Sequence, residues 1–328
     1  MLYLWNTSAE KARFVERKLV DHKKNCTLPS LGRKWVRSCA MKSVTESYKK
    51  KVFPRGPDKG ALESFFARKL IEFNQPSFIT ADPISVPHQF KLKQDIEIAA
   101  FFAAIFSWGN RKTIISKSKE LMLLMSNSPF DFIINHQESD LKPLMNFRHR
   151  TFNSEDLFYF IEFLRLHYTG TGTEILNGIR GFEKSNTTLE TAFTIGLSPN
   201  DPDIHKGLSN FYRYFFSIPD APHRTRKHIS TPEKKSACKR LNMFLRWMVR
   251  SDQNGVDFGF WKTISPSQLL CPLDVHVARV ARHFGLLKRP GTDWLAAAEL
   301  TENLRRFDPA DPVKYDFVLF GLGAEERF

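Results

Sequence analysis

The chain has 328 residues, 42% hydrophobic and 26% charged, with 49 Lys and Arg against 35 Asp and Glu for a formal net charge of +14. Such a length and apolar content bury a core in one large domain or two modest ones and exclude a disordered chain. The absence of an apolar run of about 18 residues argues against a membrane span. Met1-Leu2-Tyr3-Leu4-Trp5 runs into polar residues, so it does not read as a secretory signal, and the expected location is cytoplasmic. Cys26, Cys39, Cys238 and Cys271 fit neither a zinc pattern nor a disulfide framework and read as free thiols. No phosphate-binding Gly-Lys-Ser/Thr loop, Gly-x-Ser-x-Gly elbow or His-Glu-x-x-His helix occurs, which removes the commonest nucleotide hydrolases, serine esterases and zinc proteases.

In chain order, residues 1–40 are basic and weakly periodic and read as an N-terminal extension, disordered or foreign to the protein, with Met41 as an alternative start. Residues 1–60 hold 15 Lys and Arg against 5 Asp and Glu. From 41 to 328 the spacing of apolar residues predicts helices throughout, so the fold class is all-α, in one body or in two lobes with a cleft between them. A helix is expected over 61–74. The run DIEIAAFFAAIFSW over 95–108 is apolar nearly all round and predicts a central buried helix, stopped by Gly109-Asn110 before a second helix over 113–125. Asn153-Ser154-Glu155-Asp156 is a cap and acidic first turn ahead of the stripe Leu157, Phe160, Ile161, Leu164. Residues 187–219, with Pro199, Pro202 and Pro219, read as an irregular connection interrupted by a helix over 209–216. Further helices are expected over 237–250, 275–284, 293–307 and 312–320, and most of the 30 phenylalanines fall at core-facing positions.

A second basic block joins Arg224, Arg226, Lys227, Lys234, Lys235, Lys239, Arg240, Arg246 and Arg250 with a single acid, Glu233. Clusters of this kind attract polyanions, of which nucleic acid is the usual one.

The most informative stretch is Leu270-Cys271-Pro272-Leu273-Asp274-Val275-His276-Val277-Ala278-Arg279-Val280, continuing to Gly285-Leu286-Leu287. Pro272 keeps the chain extended, Asp274 is placed as an N-cap, Val277, Val280, Ala281 and Phe284 form one stripe, and Gly285 ends the helix. A carboxylate facing free N–H groups at a helix start stays ionised at neutral pH. This segment resembles the Val-Asp-Thr-His-Val-x-Arg-Val stretch of the helix-hairpin-helix (HhH-GPD) base-excision DNA glycosylases, in which the aspartate is catalytic. The resemblance extends in outline to Ile98–Asn110, similar to a buried helix whose loop reaches toward DNA, and to Glu299–Leu304 and Tyr315–Gly321, similar to an acidic and a closing helix. Together with Lys239–Arg250, the segment also looks like an uncharacterised bacterial family known only as a conserved domain of unknown function.

The resemblance implies an all-α glycosylase-like fold that flips a damaged base out of duplex DNA and hydrolyses its N-glycosidic bond, with Asp274 catalytic. The family's hairpin, Leu-Pro-Gly-Val-Gly-x-Lys-Thr-Ala, is matched only by Ser230–Ala237, which lacks both glycines. Two lysines therefore compete as nucleophile: Lys235, in a local match to Lys-Thr-Ala, and Lys239, preferred because it starts the better helix nearer Asp274. Gly255–Gln268 reads as an insertion. Arg240, Arg246, Arg250 and Lys234 are expected on DNA phosphates, Trp108 and Asn110 in the gap left by a flipped base, and His276 beside the Asp274 carboxylate. No cysteine follows Cys271, so no iron–sulfur cluster is expected, nor any metal or cofactor, and the chain is expected to be a monomer. The competing reading is a catalytically inactive nucleic-acid-binding protein of the same fold, with a cavity filled by side chains.

Overall fold

A computed structural model describes residues 59–170 and 188–325, and in them the chain is helical with no β-strand. The helices are α1 Lys59–Phe73, α2 Pro76–Thr80, α3 Lys93–Phe106, α4 Arg111–Leu124, α5 Pro129–Asn135, α6 Ser154–Thr169, α7 Glu190–Thr194, α8 His205–Phe215, α9 Lys239–Val249, α10 Val275–His283, α11 Trp294–Arg305 and α12 Asp316–Phe320. Short 3-10 turns link them. The basic extension expected over 1–40 lies outside the described residues, as do Cys26 and Cys39. Cys238 and Cys271 are buried free thiols. No described helix is long and apolar enough to cross a membrane.

The all-round apolar run becomes α3, and every residue from Ile96 to Phe106 is buried. Around it stands a phenylalanine cluster: Phe101 packs against Phe160 at 5.7 Å, Phe211 at 6.1 Å and Phe244 at 5.5 Å between ring centroids. Each such pair adds about 0.5–1.5 kcal/mol beyond the area it buries, and the three belong to α6, α8 and α9, so α3 is the axis on which those helices are hung. One charge sits inside it. Glu97 is fully buried and accepts from Tyr168 Oη at 2.9 Å, Leu189 N at 2.9 Å and Trp261 Nε1 at 2.7 Å, and from the Thr188 hydroxyl. Burial pushes its carboxyl up against the pull of those bonds, and they tie α3 to two irregular segments that have no periodic signal of their own.

The capping box ahead of α6 forms as expected. Asn153 Oδ1 accepts from Asp156 N, Asp156 Oδ2 accepts from Asn153 N, and Gly170 closes the helix at φ 68°. The stretch read as irregular contains two helices, α7 and α8, and α8 starts at His205, four residues before its expected start. Residues 255–268, read as an insertion, pack into the core of the fold. Phe258 N and Trp261 N donate to the carbonyls of Trp247 and Met248 at the end of α9, and Val256, Asp257 and Trp261 are buried. This segment seals α9, the helix on which Lys239, Arg240, Arg246 and the flanking Arg250 lie.

Candidate functional site

A cavity of about 430 Å³ opens between the start of α9, the start of α10, the loop joining α3 to α4, and α12. Its volume falls within the range of about 300–1,000 Å³ typical of small-ligand sites. Phe78, Trp108, Met243, Trp247 and Phe320 supply apolar wall, while Asp82, Arg111, Lys239, Arg246, Asp274, His276 and Asp316 supply charge and polarity.

Asp274 holds the position its sequence context demands. One oxygen, Oδ1, accepts from His276 N and Val277 N, both at 2.9 Å, and caps α10. The other, Oδ2, is turned toward Lys239 Nζ at 3.7 Å. A single carboxylate thus does two jobs with two atoms: the cap fixes the rotamer, and the remaining oxygen is presented to the cavity with a cation beside it. His276 contributes to this through its backbone N–H. Its imidazole lines the cavity, and Nδ1 is buried without a partner. The expected ring-to-carboxylate contact is not made. Gly323 allows the close approach behind it, because a Cβ there would stand 3.1 Å from His276 Cβ.

Of the two competing lysines, Lys239 reaches the cavity and Lys235 does not. The chain turns into α9 through the 3-10 turn Pro232–Lys234, then Lys235 at φ 60° and Cys238 at φ 49°. Lys235 holds this left-handed conformation at about 1–2 kcal/mol for a residue bearing a Cβ. Lys235 is exposed, with its carbonyl accepting from Trp294 N.

Most of the remaining candidates are placed differently from expectation. Arg246 and Arg250 are each only 3% exposed. Arg246 pairs with Asp316 and, at 3.3 Å, with Asp257. Arg250 pairs with Asp252 at 2.7 Å, Asp257 at 3.0 Å and Asp311 at 2.8 Å. Both guanidiniums lie near the ring of Phe317. Arg240 turns inward to the carbonyls of Ile105 and Lys227, and burial pulls its guanidinium down to about 10. Arg246 and Arg250, being buried, are not an exposed phosphate-binding face; all three arginines tie α9 to the core, and of them only Arg246 touches the cavity. Lys234 donates to Tyr212 Oη at 2.9 Å, away from the cavity lining. Asn110 is the N-cap of α4, accepting from Thr113 N at 3.3 Å, and does not line the cavity. Trp108 does line it, with its ring edge-on to His149 at 5.9 Å.

Two carboxylates escaped the sequence reading. Asp316, 5% exposed, faces the cavity on α12; burial pushes its carboxyl up to about 6, the charge of Asp274 adding to the effect and Arg246 opposing it. Asp82 caps the turn Pro83–Ser85 by accepting from Ile84 N at 3.1 Å, and burial raises it as well. A lone acid in the run Asp316-Phe317-Val318-Leu319-Phe320 was the available signal, since an ionisable side chain embedded in a buried helix needs a partner. Among the described residues no three His, Cys, Asp or Glu side chains converge as metal ligands.

Residues 82–325 match the model of a family described as a protein of unknown function (DUF2400). The chain belongs to that family. The matched stretch includes every cavity-lining residue except Phe78, so the site is part of the family domain. No curated protein and no solved structure matches the chain significantly.

Proposed function

We propose that this chain is a base-excision DNA glycosylase of the helix-hairpin-helix type, acting on a base flipped into the cavity beside Asp274. The observation that carries the reading is the division of labour at Asp274: Oδ1 is committed to the helix cap, and Oδ2 faces Lys239 at 3.7 Å in an open, partly aromatic cavity. As the glycosidic bond breaks, its electron pair leaves with the base and positive charge develops on the sugar. An ionised carboxylate oxygen held beside C1′ stabilises that charge. Water then adds at C1′ and gives its proton to Oδ2. Alternatively Lys239, once its ammonium has lost a proton to solvent, adds as the neutral amine at C1′, passing a second proton to the same oxygen and leaving an imine after ring opening. Phe78, Trp108 and Phe320 offer flat apolar faces to a base, and Trp247 closes the wall behind.

An inactive binder would have no use for an unfilled cavity with a carboxylate and an amine turned toward each other, which is why the enzyme reading is preferred. The test is a panel of duplexes, each carrying one damaged base, incubated with the native chain and with Asp274→Asn. Release of one class of base by the native chain, lost in the variant, is expected. No release from any duplex, or equal release by both proteins, overturns the reading.

A further inference from the structure

Four of the nine cations in the basic block 224–250 are neutralised within the fold. Arg224 pairs with Glu155 and Asp156, Lys239 with Asp274, and Arg246 and Arg250 with buried aspartates. Two other arginines, Arg111 in the cavity lining and Arg150 against the lining residue Trp108, are arranged in the opposite way. Arg150 lies over the ring of Trp108 with its guanidinium carbon 4.7 Å from the centroid, and Arg111 lies over Phe320 at 5.0 Å. Both rings line the cavity. Neither arginine makes an ion pair among the described residues. A guanidinium stacked on a ring uses its face and keeps its in-plane N–H donors for a planar or tetrahedral oxyanion, which it grips through two bonds at once.

The backbone around Arg150 is built to hold that pose. His149 and Phe152 exchange both backbone hydrogen bonds across a tight turn, and Arg150 sits in it at φ 56°, a conformation that costs a residue with a Cβ about 1–2 kcal/mol. Arg224 Nη2 braces the turn by donating to Thr151 O at 3.0 Å, and Arg148 Nε donates to Arg150 O at 3.2 Å. On the facing loop, Gly109 has φ 106°, and a Cβ there would lie 2.2 Å from Arg150 Nη1. The guanidinium therefore occupies the space that a side chain at 109 would fill. Arg150 itself is exposed, so strain and close packing hold a solvent-facing cation over Trp108 with no side-chain acceptor among the described residues.

We propose that Arg150 and Arg111 are a two-arginine clamp for the DNA backbone phosphates flanking the nucleotide in the cavity. The identity of the polyanion rests on the base-excision reading; the clamp itself rests on the two stacked, unneutralised guanidiniums. Binding of the full chain to a fluorescein-labelled DNA duplex carrying an abasic-site analogue is measured by anisotropy over a series of salt concentrations. Arg150→Gln and Arg111→Gln are each expected to weaken binding about tenfold and to flatten the salt dependence by about one unit of slope. Lys288→Gln, an exposed cation that does not line the cavity, is expected to change neither. Arg150→Gly separates binding from folding, because glycine relieves the left-handed turn: it must melt no lower than the native chain yet bind as weakly as Arg150→Gln. Native affinity in both Arg150 variants, losses no larger than that of Lys288→Gln, or arginine-dependent binding of a deoxynucleoside monophosphate without binding of the duplex overturns the clamp. Base release is not read in this experiment. Arginine-dependent duplex binding supports the clamp even if no lesion is ever excised, and Asp274-dependent excision by a chain indifferent to Arg150 removes the clamp alone.

Discussion

Replacing Asp274 by Asn separates its two roles by atom. Asparagine retains an oxygen that can accept from His276 N and Val277 N, and its rank as an N-cap is close to that of aspartate, so the cap loses a few tenths of a kcal/mol. The lost pairing with Lys239 involves side chains 30% and 20% exposed, which places it near the surface range of about 0.2–1 kcal/mol. Together these predict a destabilisation of about 1 kcal/mol or less. Asp274→Ala removes both acceptors and adds the ordinary cap loss of about 0.5–2 kcal/mol. The chemical loss follows a different order. Asn carries no charge to stabilise the sugar cation and takes no proton from the attacking group, so base release should fall by about 10² to 10⁴, and Ala should be no better. Chemical denaturation and single-turnover base release on the same three proteins give the two rankings: native close to Asn above Ala for stability, and native far above both for rate. Full activity in Asp274→Asn would reduce Asp274 to a cap, and so would a rate that tracks stability across the series.

Three further outcomes follow from the packing. Borohydride reduction during turnover should trap a protein–DNA adduct on Lys239; Lys239→Gln should abolish it, while Lys235→Gly should leave it intact and raise stability by up to about 1 kcal/mol, since glycine suits φ 60°. An adduct mapped to Lys235 would reverse the assignment. Arg250→Ala should cost about 1–3 kcal/mol in denaturant unfolding, because it leaves the buried Asp257 with Arg246 alone and strips the half-buried Asp311 of its arginine; no measurable loss would mean those acids are solvated. Asp316 has a folded value near 6, above its ordinary 3.8, so the folded state binds its proton first and Asp316 adds stability as pH falls from about 7 toward 4. That gain should vanish in Asp316→Asn, and parallel pH–stability curves for the two proteins would show that Asp316 stays ionised.

Much of the fold was legible because local signals and tertiary demands agreed. The all-round apolar run of α3 has nowhere to go but the interior. The caps at Asn153 and Asp274 satisfy N–H groups that any helix start leaves open, and Gly285, at φ 70°, adopts the left-handed backbone that ends α10. The placement of Asp274 and Lys239 in one cavity follows from their being the first residues of two helices that meet at their N-termini, a relation that spacing suggests and only packing delivers. The arginines of α9 show the limit. Period and charge assigned Arg246 and Arg250 to a solvated face, since nothing local distinguishes an arginine bound to phosphate from one bound to a buried carboxylate. Their partners are Asp252, two residues beyond Arg250, Asp257 in a segment read as an insertion, and Asp311 and Asp316 more than sixty residues downstream. Whether a charge is free or neutralised is a property of what packs against it, and that is set by contacts between residues far apart in the chain. The same reason hid Asp82, Arg111 and Arg150: each is an ordinary loop or helix-end residue until the fold closes a cavity beside it.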